Sequence, residues 1–137
     1  MPKFDVDLEN DIQRPLSNNI YAVEISGSSN KADKNGSDMI TWQMTVIDPG
    51  ENFGRELYYL TNLQNNVKLA DGSINKNARR RANFYLREFF ETIKAPYGAD
   101  GFTTEAALHC KARVRVKQET VDGRVFERVD AVMPFDS

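Results

Sequence analysis

From Ile20 to Ser26 apolar residues occupy every second position, Tyr21, Val23 and Ile25 against Ala22, Glu24 and Ser26. This alternation predicts a strand with one buried face. Met39 to Ile47 alternates in the same way, with Ile40, Trp42, Met44 and Val46 on one side and Thr41, Gln43 and Thr45 on the other, and predicts a second strand. The polar stretch from Gly27 to Ser37 separates them, and Asn35-Gly36 supplies the positive φ angles of a tight turn. Asp48-Pro49-Gly50 breaks the second strand, and Arg55 to Thr61, rich in Leu and Tyr, reads as a third. The period then changes. Between Asn75 and Lys94, Ala78, Ala82, Tyr85, Leu86, Phe89 and Ile93 recur at spacings of three and four, which predicts one amphipathic helix with Asn75 as its N-cap.

Beyond Pro96 and Gly98 a short helical turn is expected near Thr103 to Leu108. Period two returns from Cys110 to Gln118, with Ala112, Val114 and Val116 on one face and Lys111, Arg113, Arg115 and Lys117 on the other. Asp122-Gly123 signals a hairpin, and Arg124 to Val132 forms a fifth strand that Pro134 ends. Residues 1–19 show no sustained periodicity and carry Asp5, Asp7, Glu9 and Asp11, so they read as an acidic arm outside the core. The expected organisation is therefore an arm over residues 1–19, one domain over 20–133 and a short tail over 134–137. A mainly β chain of three meandering strands, a helix and a closing hairpin has the element order of an OB-fold, a five-stranded Greek-key barrel with its helix between strands three and four. Another α+β sheet carrying one packed helix is the alternative.

The 137 residues suffice for a single domain, and 40% hydrophobic against 28% charged content allows a core under a solvated surface. No apolar run approaches the roughly 20 residues of a membrane span. With an acidic start as well, the sequence predicts neither membrane insertion nor a secretion leader. Cys110 is the only cysteine, so neither an internal disulfide nor a cysteine-based zinc site is expected, and a reducing cytoplasm is the expected compartment. The net charge of −2 conceals an asymmetry: residues 1–75 hold 6 Lys/Arg and 11 Asp/Glu, whereas residues 76–137 hold 12 and 9. Binding responds to the local field of a patch, so a polyanionic partner stays in play.

No enzyme signature is present. His109 and Cys110 are adjacent and on a strand would face opposite ways. Asp33, Asn35 and Asp38 resemble part of a calcium loop but depart from its spacing and lack its terminal acid. The chain is thus expected to be a binding protein without catalytic residues, cofactor or metal. The alternate cations of Lys111, Arg113, Arg115 and Lys117 stand roughly 6.6–7 Å apart, close to backbone phosphate spacing. A solvated face neutralised by Glu127 or Asp130 is the competing reading. Lys76, Arg79, Arg80 and Arg81 crowd the helix start, where cations oppose the macrodipole; phosphate contact, pairing with the acidic arm, or a plain solvated face with a screened dipole penalty are the alternatives. Stacking platforms for bases would come from Trp42, Tyr58, Tyr59 and Phe126, the last lying between Arg124 and Arg128 on one face. The parity of Trp42 also suits core packing, and Phe89 and Phe90 suit core or a dimer surface.

The segments Arg14-Pro-Leu-Ser-Asn-Asn-Ile-Tyr-Ala-Val-Glu-Ile, Lys34-Asn-Gly-Ser-Asp-Met-Ile-Thr-Trp-Gln-Met-Thr-Val-Ile and Phe53-Gly-Arg-Glu-Leu together resemble the opening of small bacteriophage-encoded single-stranded DNA-binding proteins. Many of these were long grouped only as a phage family of unknown function. The shared features are a proline-containing lead into an aromatic first strand, a Lys/Gly/Asn hairpin loop, an apolar second strand and Gly-Arg entering the third. This chain departs in having Asn19-Ile20 where many relatives place Gly before the Tyr. The resemblance implies an OB-fold that coats DNA during phage replication or recombination in the host cytoplasm. By position it implies DNA contacts from Lys31, Lys34 and Arg55, and from Lys111, Arg113, Arg115, Arg124 and Arg128. Its implied partners are single-stranded DNA, phage or host replication and recombination proteins, and further copies of the chain. A phage structural or adaptor protein, using the small β-barrel for assembly, is the second expectation.

Overall fold

A computed structural model describes residues 2–136. The elements are β1 (Asn19–Ala32), β2 (Asp38–Val46), β3 (Glu56–Asn62), α1 (Lys76–Ile93), a 3-10 turn (Thr104–Ala107), β4 (Lys111–Val121) and β5 (Arg124–Pro134). All strand pairs are antiparallel, in the order β3-β2-β1-β4-β5. The molecule is thus mainly β, one five-stranded sheet with one α-helix among the described residues. The sheet is open. Its edge strands β3 and β5 approach each other, and the seam is spanned by side chains, with Arg55 donating to both carboxylate oxygens of Glu127 at 2.8 and 2.6 Å.

Two bulges bend the ladder. In β1 the register slips between Ile25 and Gly27, and the Ser26 hydroxyl accepts from Thr45 Oγ1 at 2.8 Å. Asn19 to Ala22 pair with β4 alone, Val23 and Glu24 with both β2 and β4, and Gly27 to Ala32 with β2 alone. In β5 the extra residue is Asp130, since Arg115 faces Ala131 and Val116 faces Val129. A bulge increases local twist and re-aims one side chain.

The core lies between the inner sheet face and the C-terminal half of α1. Val23, Ile25, Ile40, Trp42, Met44, Val46, Val114 and Val116 meet Leu86, Phe89, Phe90 and Ile93. Trp42 is fully buried, 5.3 Å from Phe89 and 5.8 Å from Phe90 between ring centroids, and its indole N–H donates to Thr61 Oγ1. Burial of each such large side chain contributes about 1.5–3 kcal/mol. Asn75 caps α1 by accepting from Ala78 N at 3.0 Å, and Lys94, at φ 61°, closes it by donating to Glu91 and Phe90 carbonyls.

Two expectations change at the edges of the domain. Residues 2–15 are exposed, but Leu16 is buried in the core, so the arm is rooted within the range 1–19. Its backbone N–H donates to Glu127 and its carbonyl accepts from Gln118 Nε2. A lone apolar residue after a proline carries no periodicity from which this could be read. Tyr85, expected on the buried helix face, is 64% exposed because burial on α1 begins only at Leu86. The first half of α1 overhangs the core.

Candidate nucleic-acid interface

On β4 the inward Ala112, Val114 and Val116 are fully buried, so pleat alternation turns Lys111, Arg113, Arg115 and Lys117 outward. All four are exposed. Cross-strand register continues this face onto β5, where Lys117 lies opposite Arg128, Glu119 opposite Phe126 and Val121 opposite Arg124. Phe126 is half exposed between two arginines of its own strand. This single surface combines six cations with an aromatic ring.

The cations differ in their partners. Arg115 donates twice to Asp130 Oδ2, at 2.9 and 2.7 Å, and Lys117 Nζ lies 3.5 Å from the same oxygen. The β5 bulge is what places that carboxylate between them. Of the two neutralisers expected from sequence, Asp130 therefore acts on this face, whereas Glu127 is spent on Arg55. Arg128 lies 3.6 Å from Glu119. Among the described residues, Lys111, Arg113 and Arg124 have no carboxylate within ion-pair distance. Lys111 and Arg113 instead lie over the Phe135 ring at 5.6 and 5.4 Å, and Arg113 Nε donates to the Phe135 carbonyl.

The hydrogen bond from Arg115 is the main cause holding the Asp130 carboxyl below its ordinary value; burial opposes it, and the Lys117 charge assists to a lesser degree. A depressed folded value means that this contact stabilises the fold above the unfolded carboxylate value, about 3.9, and is lost as pH falls through the folded one. Asp130→Asn removes the charge without acid. It is expected to raise affinity for a single-stranded oligonucleotide several-fold and to steepen the salt slope by up to about 0.7 for each cation it releases to a phosphate. Fluorescence anisotropy across a salt series measures both, and an unchanged slope would show that Arg115 and Lys117 do not meet phosphates.

The other sequence candidates divide. Lys31 and Lys34 are exposed on the β1–β2 hairpin, but the register places Lys31 opposite Met39 and Lys111 opposite Glu24. Seven residues of strand, roughly 23 Å, thus separate Lys31 from the β4 row. The hairpin tip is pinned. The Asp33 carboxylate accepts from Asn62 Nδ2, Asn35 N and Ser37 N, and these bonds, Asn62 foremost, hold it below its usual range. The partial calcium-loop pattern is therefore spent on folding the turn. Tyr58 is exposed on the outer face opposite Gln43, with its hydroxyl donating to Glu56, while Tyr59 is partly buried at 5.3 Å from Phe89.

Two candidates are withdrawn by their surroundings. Trp42 cannot stack on a base, because β2 runs without a bulge and Phe89 and Phe90 cover the indole. Arg55 is not available to phosphate, because its side chain is 12% exposed and bound to Glu127. Its signal in the sequence, an isolated arginine after glycine, does not distinguish a surface contact from a long-range ion pair.

A second basic surface lies on the overhanging half of α1. Residues 76–87 contain Lys76, Arg79, Arg80, Arg81 and Arg87 with no carboxylate, and none of these makes an ion pair among the described residues. Arg87 lies 5.6 Å over the Phe84 ring, and Phe84 packs edge-on against Tyr85. Arg87 was legible from spacing, since Arg80, Phe84 and Arg87 stand at i, i+4 and i+7.

His109 and Cys110 do not form a reactive pair: His109 points to Glu24 in solvent, while Cys110 Sγ turns to the Ala106 carbonyl and partial burial pushes the thiol up. Among the described residues no group of three or more His, Cys, Asp or Glu side chains converges as a metal ion would require, and no helix is long and apolar enough to cross a membrane.

A family model described as a protein of unknown function, DUF669, matches residues 4–137. The chain belongs to that family. Among curated proteins none shows significant similarity to it.

Proposed function

We propose that this DUF669 chain is a non-catalytic single-stranded DNA-binding protein of largely sequence-independent preference, serving phage replication or recombination in the host cytoplasm. The observation that carries the reading is the outer face of β4, where four exposed cations repeat at alternate positions beside Arg124, Phe126 and Arg128. Phosphates would meet the cations, Lys111 and Arg113 foremost, and a base would stack on Phe126. Counterion release then supplies most of the affinity and makes it fall with salt.

The strand order also favours an OB-type barrel. Closing β3 onto β5 would give the ring β1-β2-β3-β5-β4, with the helix between the third and fourth strands. The close approach of the two edges and the Arg55–Glu127 pair across the seam support this. In that fold Tyr58 and the Lys31–Lys34 hairpin would extend the path of a longer strand.

The test is anisotropy of a labelled oligonucleotide of about 30 bases, single- and double-stranded, at two salt concentrations. Preference for the single strand with strong salt dependence is expected. Absence of binding at low salt would remove the reading and leave the basic strand as a protein-assembly surface, as an adaptor would use it.

A further inference from the structure

The overhanging half of α1 and the N-terminal arm are opposite in charge and alike in exposed apolar surface. Along the arm Phe4, Val6 and Leu8 alternate with Asp5, Asp7 and Glu9, and all six residues are exposed, Phe4 by 78% and Leu8 by 77%. Apolar side chains so exposed on an acidic segment have no burial within their own chain. On α1 a shallow concavity is lined by Arg80, Asn83, Phe84 and Arg87, with the exposed Tyr85 beside it. Asp7 folds the arm into a turn over residues 8–10 by accepting from Glu9 N and Asn10 N at 3.0 Å, so the stretch free to lie along a helix is Phe4 to Asp7. Drawn out, that stretch covers about 10 Å, and the helix from Arg80 to Arg87 rises about 10 Å. The spacings are compatible.

The two surfaces sit at opposite ends of β3. The arm root, Ile12 to Leu16, lines a groove with Glu51–Arg55 where β3 begins, whereas Arg81 of α1 lines a groove with Asn62, Leu63 and Gln64 where β3 ends. We infer that the arm of one copy docks on the Arg80–Phe84–Arg87 face of a second copy, Phe4 entering the concavity and the arm carboxylates pairing with the arginines. Donor and acceptor surfaces differ and lie at opposite ends of β3, so the contact is heterologous, closing into a ring where the rotation between copies permits and otherwise extending head to tail. It goes beyond the nucleic-acid reading and needs no nucleic acid to be observed.

The experiment is sedimentation velocity of the full chain over a range of concentrations, at low and high salt, without nucleic acid. Concentration-dependent association that weakens with salt is expected. Deletion of residues 2–12, or the double change Arg80→Glu with Arg87→Glu, should each weaken it about tenfold or more, with circular dichroism showing both variants folded. Mixing the two variants is the decisive arm, since one keeps the acceptor face and the other keeps the arm. They should form a one-to-one dimer that grows no further. A wild-type chain that stays monomeric, because the arm folds on its own helix, would overturn the inference. So would association that survives arm deletion, or a mixture that stays monomeric. Loss of oligonucleotide binding in the arginine variant, with self-association intact, would assign the face to nucleic acid instead.

Discussion

Replacing Lys111 and Arg113 together by alanine is expected to weaken single-stranded oligonucleotide binding about 25-fold near 0.1 M salt and to flatten the salt slope by about 1.4. Each phosphate contact on a single strand contributes a slope near 0.7, which is about 0.7 of a decade in affinity between 1 M and 0.1 M salt. These two positions are the sharpest probe of the β4 face because neither shares a carboxylate. Arg115→Ala should cost less, since Asp130 already holds that guanidinium. All three side chains are exposed, so melting temperature should move little. Anisotropy over a salt series reads affinity and slope together. Equal affinity for the double variant and the natural chain would move the site off β4, and the α1 face would be the next to test.

Glu127→Ala is expected to destabilise the fold by about 3–5 kcal/mol, the range for leaving a buried charge without its partner. Glu127 accepts two bonds from Arg55 Nη2 and one from Leu16 N at 2.7 Å, with the two ion-pair side chains only 12% and 17% exposed. Arg55 Nε is already buried without a partner, so nothing nearby stands ready to take over. For a domain of this size the loss should lower the melting temperature by roughly 10 °C or more. The paired change Arg55→Met with Glu127→Leu should recover part of it, because two matched apolar groups avoid the desolvation cost that the ion pair incurs, whereas the Leu16 N–H still loses its acceptor. Urea and thermal melts of the three variants check both statements. A loss below about 1 kcal/mol for Glu127→Ala would show that the pair behaves as a solvated surface bridge.

Strands with a short repeat were legible because alternation is a local signal. Ala112, Val114 and Val116 assign β4 to one face with no knowledge of its neighbours, and Trp42 follows Ile40 and Met44 inward for the same reason. What was not legible is long-range. That Glu127 answers Arg55 and Leu16, and not the β4 cations, depends on β3 and β5 coming together across the seam. The position of Asp130 between Arg115 and Lys117 depends on one extra residue in β5, which no sequence pattern announces. Tyr85 shares its spacing with the buried helix residues, yet the sheet ends before it can be covered.

The place of β1 has a consequence for the moment of synthesis. Val23 lies opposite Val46 on one side and Ala112 on the other, so the strand in the middle of the sheet acquires its two neighbours at very different times as the chain emerges. The β1–β2–β3 meander can form early from local contacts, but the β4 flank of Tyr21 and Val23 stays uncovered until the last third of the chain has left the ribosome. During that interval an unpaired, apolar strand edge is open to any extended segment nearby, including the same strand on the next nascent chain of a polysome. A slow-translating stretch between α1 and β4 would lengthen the exposure, and a rapid one would shorten it.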